Sequence, residues 1–251
     1  VWPSWGLVNN NADILIPAKG YLAAFPHVLK SNPVKSFAGV LNHGTHTFPL
    51  SVLAHPDDAF RGMNLLANPY PSAIDWKAPS GWSGRNNLEE TLYEGETGYT
   101  YWIWNPVAGN YGAYHTAMPT DEGTLGAGRH IPPMHAFWVR AIGEGSLQLT
   151  DQIRTHHSQQ WQEKSLSRHE PLLLKAGMRS SEWHDQVMLM PSLREDGFEA
   201  ISGIEKRFGL LADAPSLYFV HNQANYSVVA SPPSLLSELL LCFEANVSGT
   251  Y

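Results

Sequence analysis

Cysteine is almost absent from this chain. Cys242 stands alone, so no disulfide can form within it. Charge is also scarce, at 16% of residues against about a quarter in ordinary globular domains. The sixteen Lys and Arg are outnumbered by twenty-three Asp and Glu, for a net charge of −7. That balance argues against nucleic acid as a partner, because binding to phosphates needs clustered basic side chains. No apolar run approaches the ~20 residues of a membrane-spanning helix, so no membrane insertion is expected. No leader pattern opens the chain. It begins on Val1-Trp2-Pro3-Ser4-Trp5-Gly6 and closes on Gly249-Thr250-Tyr251, and both ends read as cuts from something longer. Scarcity of cysteine fits the cytosol and export equally well.

What the chain has in quantity is turn formers and aromatics. Twenty-one Gly and eighteen Pro occur without a period, beside nine Trp and ten Tyr. Aromatics suit pleated, half-buried surfaces, and the apolar spacing repeats in short alternating runs. Strands are expected at 63–67, 100–105 with a hairpin partner at 110–114, 171–176, 185–190, 216–220, 226–230 and 237–243, the last holding Cys242 as a small buried hydrophobe. A strand–turn–strand is expected over 14–23. Two further hairpins are expected, one joining 36–42 to 47–52 and one joining 135–141 to 146–150. Short helical turns are expected at 72–76, capped by Ser72, and at 87–93. A third is expected over 201–208, where Gly203 weakens it. A cis bond is open at Asn68-Pro69 or Tyr70-Pro71, and the Gly- and Pro-broken loop 118–129 should be exposed. Residues 151–170 are polar and without apolar period, the composition of a linker. The expected fold class is all-β, as two consecutive β-sandwich domains of jelly-roll or immunoglobulin-like type with short helical turns. The first spans 1–152, a linker or crossover 153–170, and a smaller, truncated second domain 171–251.

Several blocks carry a family resemblance. Phe60-Arg61-Gly62-Met63-Asn64-Leu65-Leu66-Ala67-Asn68-Pro69-Tyr70-Pro71-Ser72-Ala73-Ile74-Asp75-Trp76 is similar to a GNPYPSAIDW-type block. Asp13-Ile14-Leu15-Ile16-Pro17-Ala18-Lys19-Gly20-Tyr21 is similar to D-x-L-x-P-G-K-G-Y, and 37–44 to F-x-G-x-L-N-x-G. Residues 131–139 resemble I-P-P-x-Q-A-F-x-V. In the second half, Gly197-Phe198-Glu199 and Glu205-Lys206-Arg207-Phe208 only approximate the G-F-D and D-A-x-K-L blocks. Together these resemble the β-sandwich region of secreted and surface proteins of Bacteroidetes exported by type IX secretion. The resemblance implies an extracellular or outer-surface location and an adhesin-like role. It supplies no catalytic residue.

The residues themselves offer weak chemistry. His43-Gly44-Thr45-His46 with His55, Asp57 and Asp58 has metal-like spacing, but glycine and threonine replace the helix that zinc proteases use, so solvated turn polars are expected and no metal. His156 and His157 lie in the polar stretch, and one of His130 and His135 is expected to be partly buried. Asp121-Glu122 matches no calcium loop. Glu89, Glu90, Glu94 and Glu96 offer acidic pairs, more common as surface charge than as a glycosidase pair. The aromatics are more pointed: Trp102 and Trp104 share one strand face, Tyr101 and Ile103 the other.

The expectation is therefore a non-catalytic extracellular structural or adhesion module of a larger surface protein, without cofactor, that holds loops such as 118–129 outward. Its partners would be glycans or host- or cell-surface proteins. The alternative is a carbohydrate-binding module that stacks sugars on Trp82, Trp102, Trp104 and Tyr111. A hydrolase is the remainder. The ligand, oligomeric state and packing of the two halves stay open at this point.

Overall fold

The computed structural model describes residues 15–22, 39–54, 60–156, 171–192 and 201–251. The chain is all-β with short 3-10 turns. In order its first strands are β1 (His46–Leu50), β2 (Met63–Ala67), β3 (Ala73–Asp75), β4 (Trp82–Ser83), β5 (Glu90–Tyr93), β6 (Glu96–Asn105), β7 (Asn110–His115), β8 (His130–Ile131), β9 (Ala136–Arg140), β10 (Gly145–Leu149) and β11 (Arg154–Thr155). After these come β12 (Leu172–Gly177), β13 (His184–Pro191), β14 (Ser202–Glu205), β15 (Ser216–His221), β16 (Ala224–Ser231) and β17 (Leu240–Glu244).

The central sheet runs β2-β9-β6, with β7 and β5 also paired to β6. Alternation along its strands sorts the side chains into two faces. Cross-strand partners Tyr101 and Tyr114, Ile103 and Phe137, and Phe137 and Leu66 face one way. They pack on the fully buried Trp76, whose ring meets Tyr101 at 5.5 Å and Phe137 at 5.8 Å, edge to face. Two small sheets, β1-β10-β4 and β11-β3-β8, close that side with Leu50, Leu147, Leu149, Ile74, Ile131 and Ile153. Leu65, Trp138, Trp102 and Ala113 face the other way.

The six-stranded sheet β12-β13-β16-β15-β17, with β14 on β16, lies against this second face. Met188, Met190, Ile204, Val228 and Ala230 belong to the same apolar cluster as the central sheet. Val187, Val229, Leu217 and Phe219, on the opposite face, form a second cluster. The β6–β7 hairpin tip also enters the second segment: Asn110 Nδ2 donates to the carbonyls of His184 and Pro215, and Arg140 pairs with both Glu89 and Glu205. The apolar cluster thus crosses residues 153–170. Arg154–Thr155, inside that span, pairs with β3.

Several local expectations are corrected. β1 pairs with β10, not with 36–42, of which 39–42 form no strand and the rest lies outside the described residues. Residues 73–75 are strand, not a helical turn, because both sides of Ile74 find ladders in β8 and β11; Ser72 Oγ accepts from Arg154 Nε instead of capping a helix. The 87–93 stretch is a 3-10 turn at Arg85–Asn87 followed by strand β5. Residues 201–208 hold strand β14: at Gly203 a Cβ would sit 2.6 Å from the Val228 carbonyl oxygen, so the glycine permits close strand approach. β9 and β10 are not a hairpin; Phe137 and Leu147 reach one core from different sheets. No cis peptide occurs among the described residues. β17 is an edge strand with Leu240, Leu241 and Phe243 exposed and Cys242 only half-buried. The strand–turn–strand expected over 14–23 reduces, in its described part, to a turn and a single bridge from Lys19 to Leu66.

Loop 118–129 is the largest correction. One side of it folds inward, with Met118, Thr124, Leu125 and Ala127 buried, while Pro119, Asp121, Glu122 and Gly126 stay exposed as expected. Thr124 exchanges bonds with Ala113 through both backbone and hydroxyl, Gly123 N–H donates to the Ala127 carbonyl and Arg129 N–H to that of Asp121. Tyr101 and Gly128 bond each other in both directions. The Gly and Pro residues shape a compact turn that satisfies its own backbone.

Candidate functional site

The four aromatics singled out from sequence do not form one row. Trp102 is buried at 2% exposure. Its indole N–H donates to the Glu205 carbonyl and the Arg207 guanidinium lies 5.1 Å over its ring. Trp82 lies beyond the opposite face of the central sheet, edge-on to Trp76 at 5.0 Å. Trp104 and Tyr111 do come together. They are direct cross-strand partners, with ring centroids 5.0 Å apart and planes at 63°.

Around that pair the structure builds a hollow. Leu65 of β2, Ala136 and Trp138 of β9, Trp104 and Tyr111 line it, with Tyr21 and Leu22 at the rim. Segment 18–20 holds the rim in place: Gly20 N–H donates to the Leu65 carbonyl and Ala67 N–H to that of Ala18. The enclosed volume is about 40 Å³, far below that of a site that swallows a whole ligand, so the hollow takes a side-chain tip or a ring edge. Trp104, Trp138 and Leu65 are half-buried and Leu22 is exposed. The Trp138 indole N–H donates to the Tyr111 hydroxyl at 3.3 Å, and burial raises the Tyr111 hydroxyl above its ordinary pKa. The walls are apolar and the rings meet edge to face, so the hollow suits the tip of an apolar side chain or the C–H edge of one sugar ring. Sequence reasoning reached Trp104 through its strand alternation with Trp102, and Tyr111 only as a nearby aromatic that could join them. It missed Trp138 and Tyr21, because only the β6–β9 pairing and the segment beside β2 bring them there.

Several titratable groups are held in structural bonds. Asp185 and Lys206, both wholly buried, form an ion pair at 2.6 Å. Asp185 also accepts the Leu217 N–H. Burial lowers the Lys206 ammonium's pKa while the Asp185 charge opposes the shift. Asp75 takes Arg129 in a two-pronged contact at 2.8 and 2.9 Å. Although burial pushes its pKa up, the Arg129 bonds and the Lys77 N–H hold it below the ordinary value. Glu89 pairs with Arg140, Glu90 accepts the Tyr99 hydroxyl and Glu94 accepts that of Ser192. His115 is buried, its Nδ1 accepting the Ala117 N–H and its Nε2 against the Thr91 carbonyl. Burial lowers its pKa to about 4. Of the His130–His135 pair, His130 is the buried member. No group of three metal-type side chains forms among the described residues; His55, Asp57, Asp58 and His157 lie outside them.

One cation has a different setting. Gly81 and Gly84, at φ of +89° and +82°, turn the chain so that Trp82 and Arg85 meet. A Cβ at Gly84 would lie 1.9 Å from the Ser146 carbonyl oxygen, so only glycine fits there. The Arg85 guanidinium lies 4.5 Å from the Trp82 ring, 4.6 Å from Trp76 and 5.4 Å from Tyr99. No helix of the described residues is long and apolar enough to cross a membrane. Comparison with protein families, curated proteins and solved structures gives no match.

Proposed function

We propose that this chain is a non-catalytic binding and structural module of a larger extracellular or surface protein, and that the Trp104–Tyr111–Trp138 hollow is its contact surface. The observation that carries this is a contrast. Asp75, Glu89, Glu94, His115 and the Asp185–Lys206 pair are engaged in bonds that hold the structure together. Trp104, by contrast, is half-buried at the mouth of an apolar hollow. Half-exposed aromatics on a rigid sheet are typical contact anchors. The sequence blocks that resemble those of Bacteroidetes type IX secretion substrates support the location. The partner is a glycan or a protein on a cell surface.

Presentation therefore works through a sheet face, since one side of loop 118–129 is packed inward. The carbohydrate reading survives in a narrower form: one sugar ring or ring edge against Trp104 and Tyr111, with Trp102 and Trp82 outside that contact. The test is a glycan and cell-surface protein array probed with the native chain and with Trp104→Ala. The reading expects at least one hit that weakens about tenfold or more in the variant, with little change in Tm. Unchanged binding by Trp104→Ala, or turnover of a substrate by the purified chain, overturns it.

A further inference from the structure

The aromatic-boxed Arg85 carries a second binding assignment, on the opposite side of the central sheet from the hollow. Cations drawn even partly into the protein are normally paired with carboxylates. Arg85 is not. Its Nη2 donates to the Trp76 carbonyl, its Nε is buried without any acceptor, and its Nη1 has no acceptor among the described residues. The adjacent carboxylate, Asp75, is held by Arg129 through both oxygens. Tyr99 directs its hydroxyl to Glu90. Burial draws the guanidinium pKa down to about 10, so it remains charged at neutral pH. The site is thus a half-buried positive charge held against the Trp82 and Trp76 rings by the turn through Gly81 and Gly84, with no acceptor among the described residues at Nε or Nη1.

We propose that Arg85 and Trp82 form a subsite for the carboxylate of an acidic polysaccharide, a uronate residue. A carboxylate on Nη1 would supply the missing counter-charge and a charge-assisted hydrogen bond. The half-buried Trp82 indole and Tyr99 phenol offer ring surface to the C–H face of a pyranose, which a flexible acidic peptide side chain lacks. The chain's net charge of −7 gives no long-range attraction to a polyanion, so recognition is by contact, at short range.

The test is calorimetric titration of the whole chain with trigalacturonate, its fully methyl-esterified form, and an aspartate hexapeptide. Trigalacturonate is expected to bind, and the neutral ester about tenfold or more weaker, the size of one charge-assisted bond. Arg85→Gln is expected to weaken the acid about tenfold or more while leaving the ester unchanged. Trp104→Ala, which alters only the other surface, should leave acid binding intact. The ester comparison needs no variant, so a misfolded Arg85→Gln leaves the proposal testable. No binding of trigalacturonate, equal binding of acid and ester, or equal binding of the hexapeptide overturns it. Loss on Trp104→Ala alone would place the sugar in the hollow and overturn the Arg85 site without touching the function proposed above.

Discussion

His115 and the Asp185–Lys206 pair show how polar side chains serve the structure here. The neutral His115 ring accepts at Nδ1 from Ala117 N–H and meets the Thr91 carbonyl at Nε2. Protonation would place a second proton against the Ala117 N–H. Its folded pKa of about 4 lies below the ordinary 6.5, so the folded chain binds fewer protons. The stabilisation is therefore complete above about pH 6.5 and is lost as pH falls through 4, amounting to about 3 kcal/mol at the acid end. His115→Gln should flatten that part of the Tm–pH curve; thermal melts between pH 7 and 4 check it, and parallel curves for variant and native chain contradict it. Removing one partner of the buried pair leaves an uncompensated charge. Lys206→Met should cost about 3–5 kcal/mol. Adding Asp185→Asn, whose amide oxygen still accepts the Leu217 N–H, should recover much of that loss in urea unfolding. Additive losses would contradict the assignment. In the sequence Lys206 is visible only as an imperfect match to a motif. Nothing local shows that a strand 21 positions earlier, by the numbering of the pair, carries its partner.

At the scale of elements, strands with clear alternation were legible. β2, β6, β7, β13, β15 and β16 fall close to where apolar spacing puts them. The short segments were not. Ala73–Asp75 has only three strand residues, too few for a period, and its state is decided by two ladders formed with distant strands. Loop 118–129 misleads for a related reason: glycine and proline mark turns but do not say whether a turn lies outside or inside. Its amides should therefore exchange slowly. Hydrogen exchange is expected to protect Thr124, Ala127 and Arg129 to a degree approaching that of the β6–β7 ladder. Exchange at the rate of an open loop would contradict the inward packing. For the candidate site, strand alternation identified Trp104, and Tyr111 was added as a neighbouring aromatic, while Trp82 was misplaced because sequence cannot tell which side of a sheet a distant turn covers.

For the whole molecule, the central sheet is packed on one face by the small sheets through Trp76 and on the other, beside the hollow, by the six-stranded sheet through Ile204 and Val228. Arg140 joins Glu89 to Glu205, and Asn110 joins the β6–β7 tip to 184 and 215. Such a shared interior makes the two segments mutually dependent, and a stiff body is what the contact role of Trp104 requires. The central claim is that the interior shared by the central and six-stranded sheets, held by these polar joints, makes the described segments one rigid binding body. Scanning calorimetry tests it most directly. The account predicts a single transition in which the calorimetric and van't Hoff enthalpies agree, shifted to lower temperature as a whole by Asn110→Ala. Two separable transitions, with only one moved by that substitution, would contradict it.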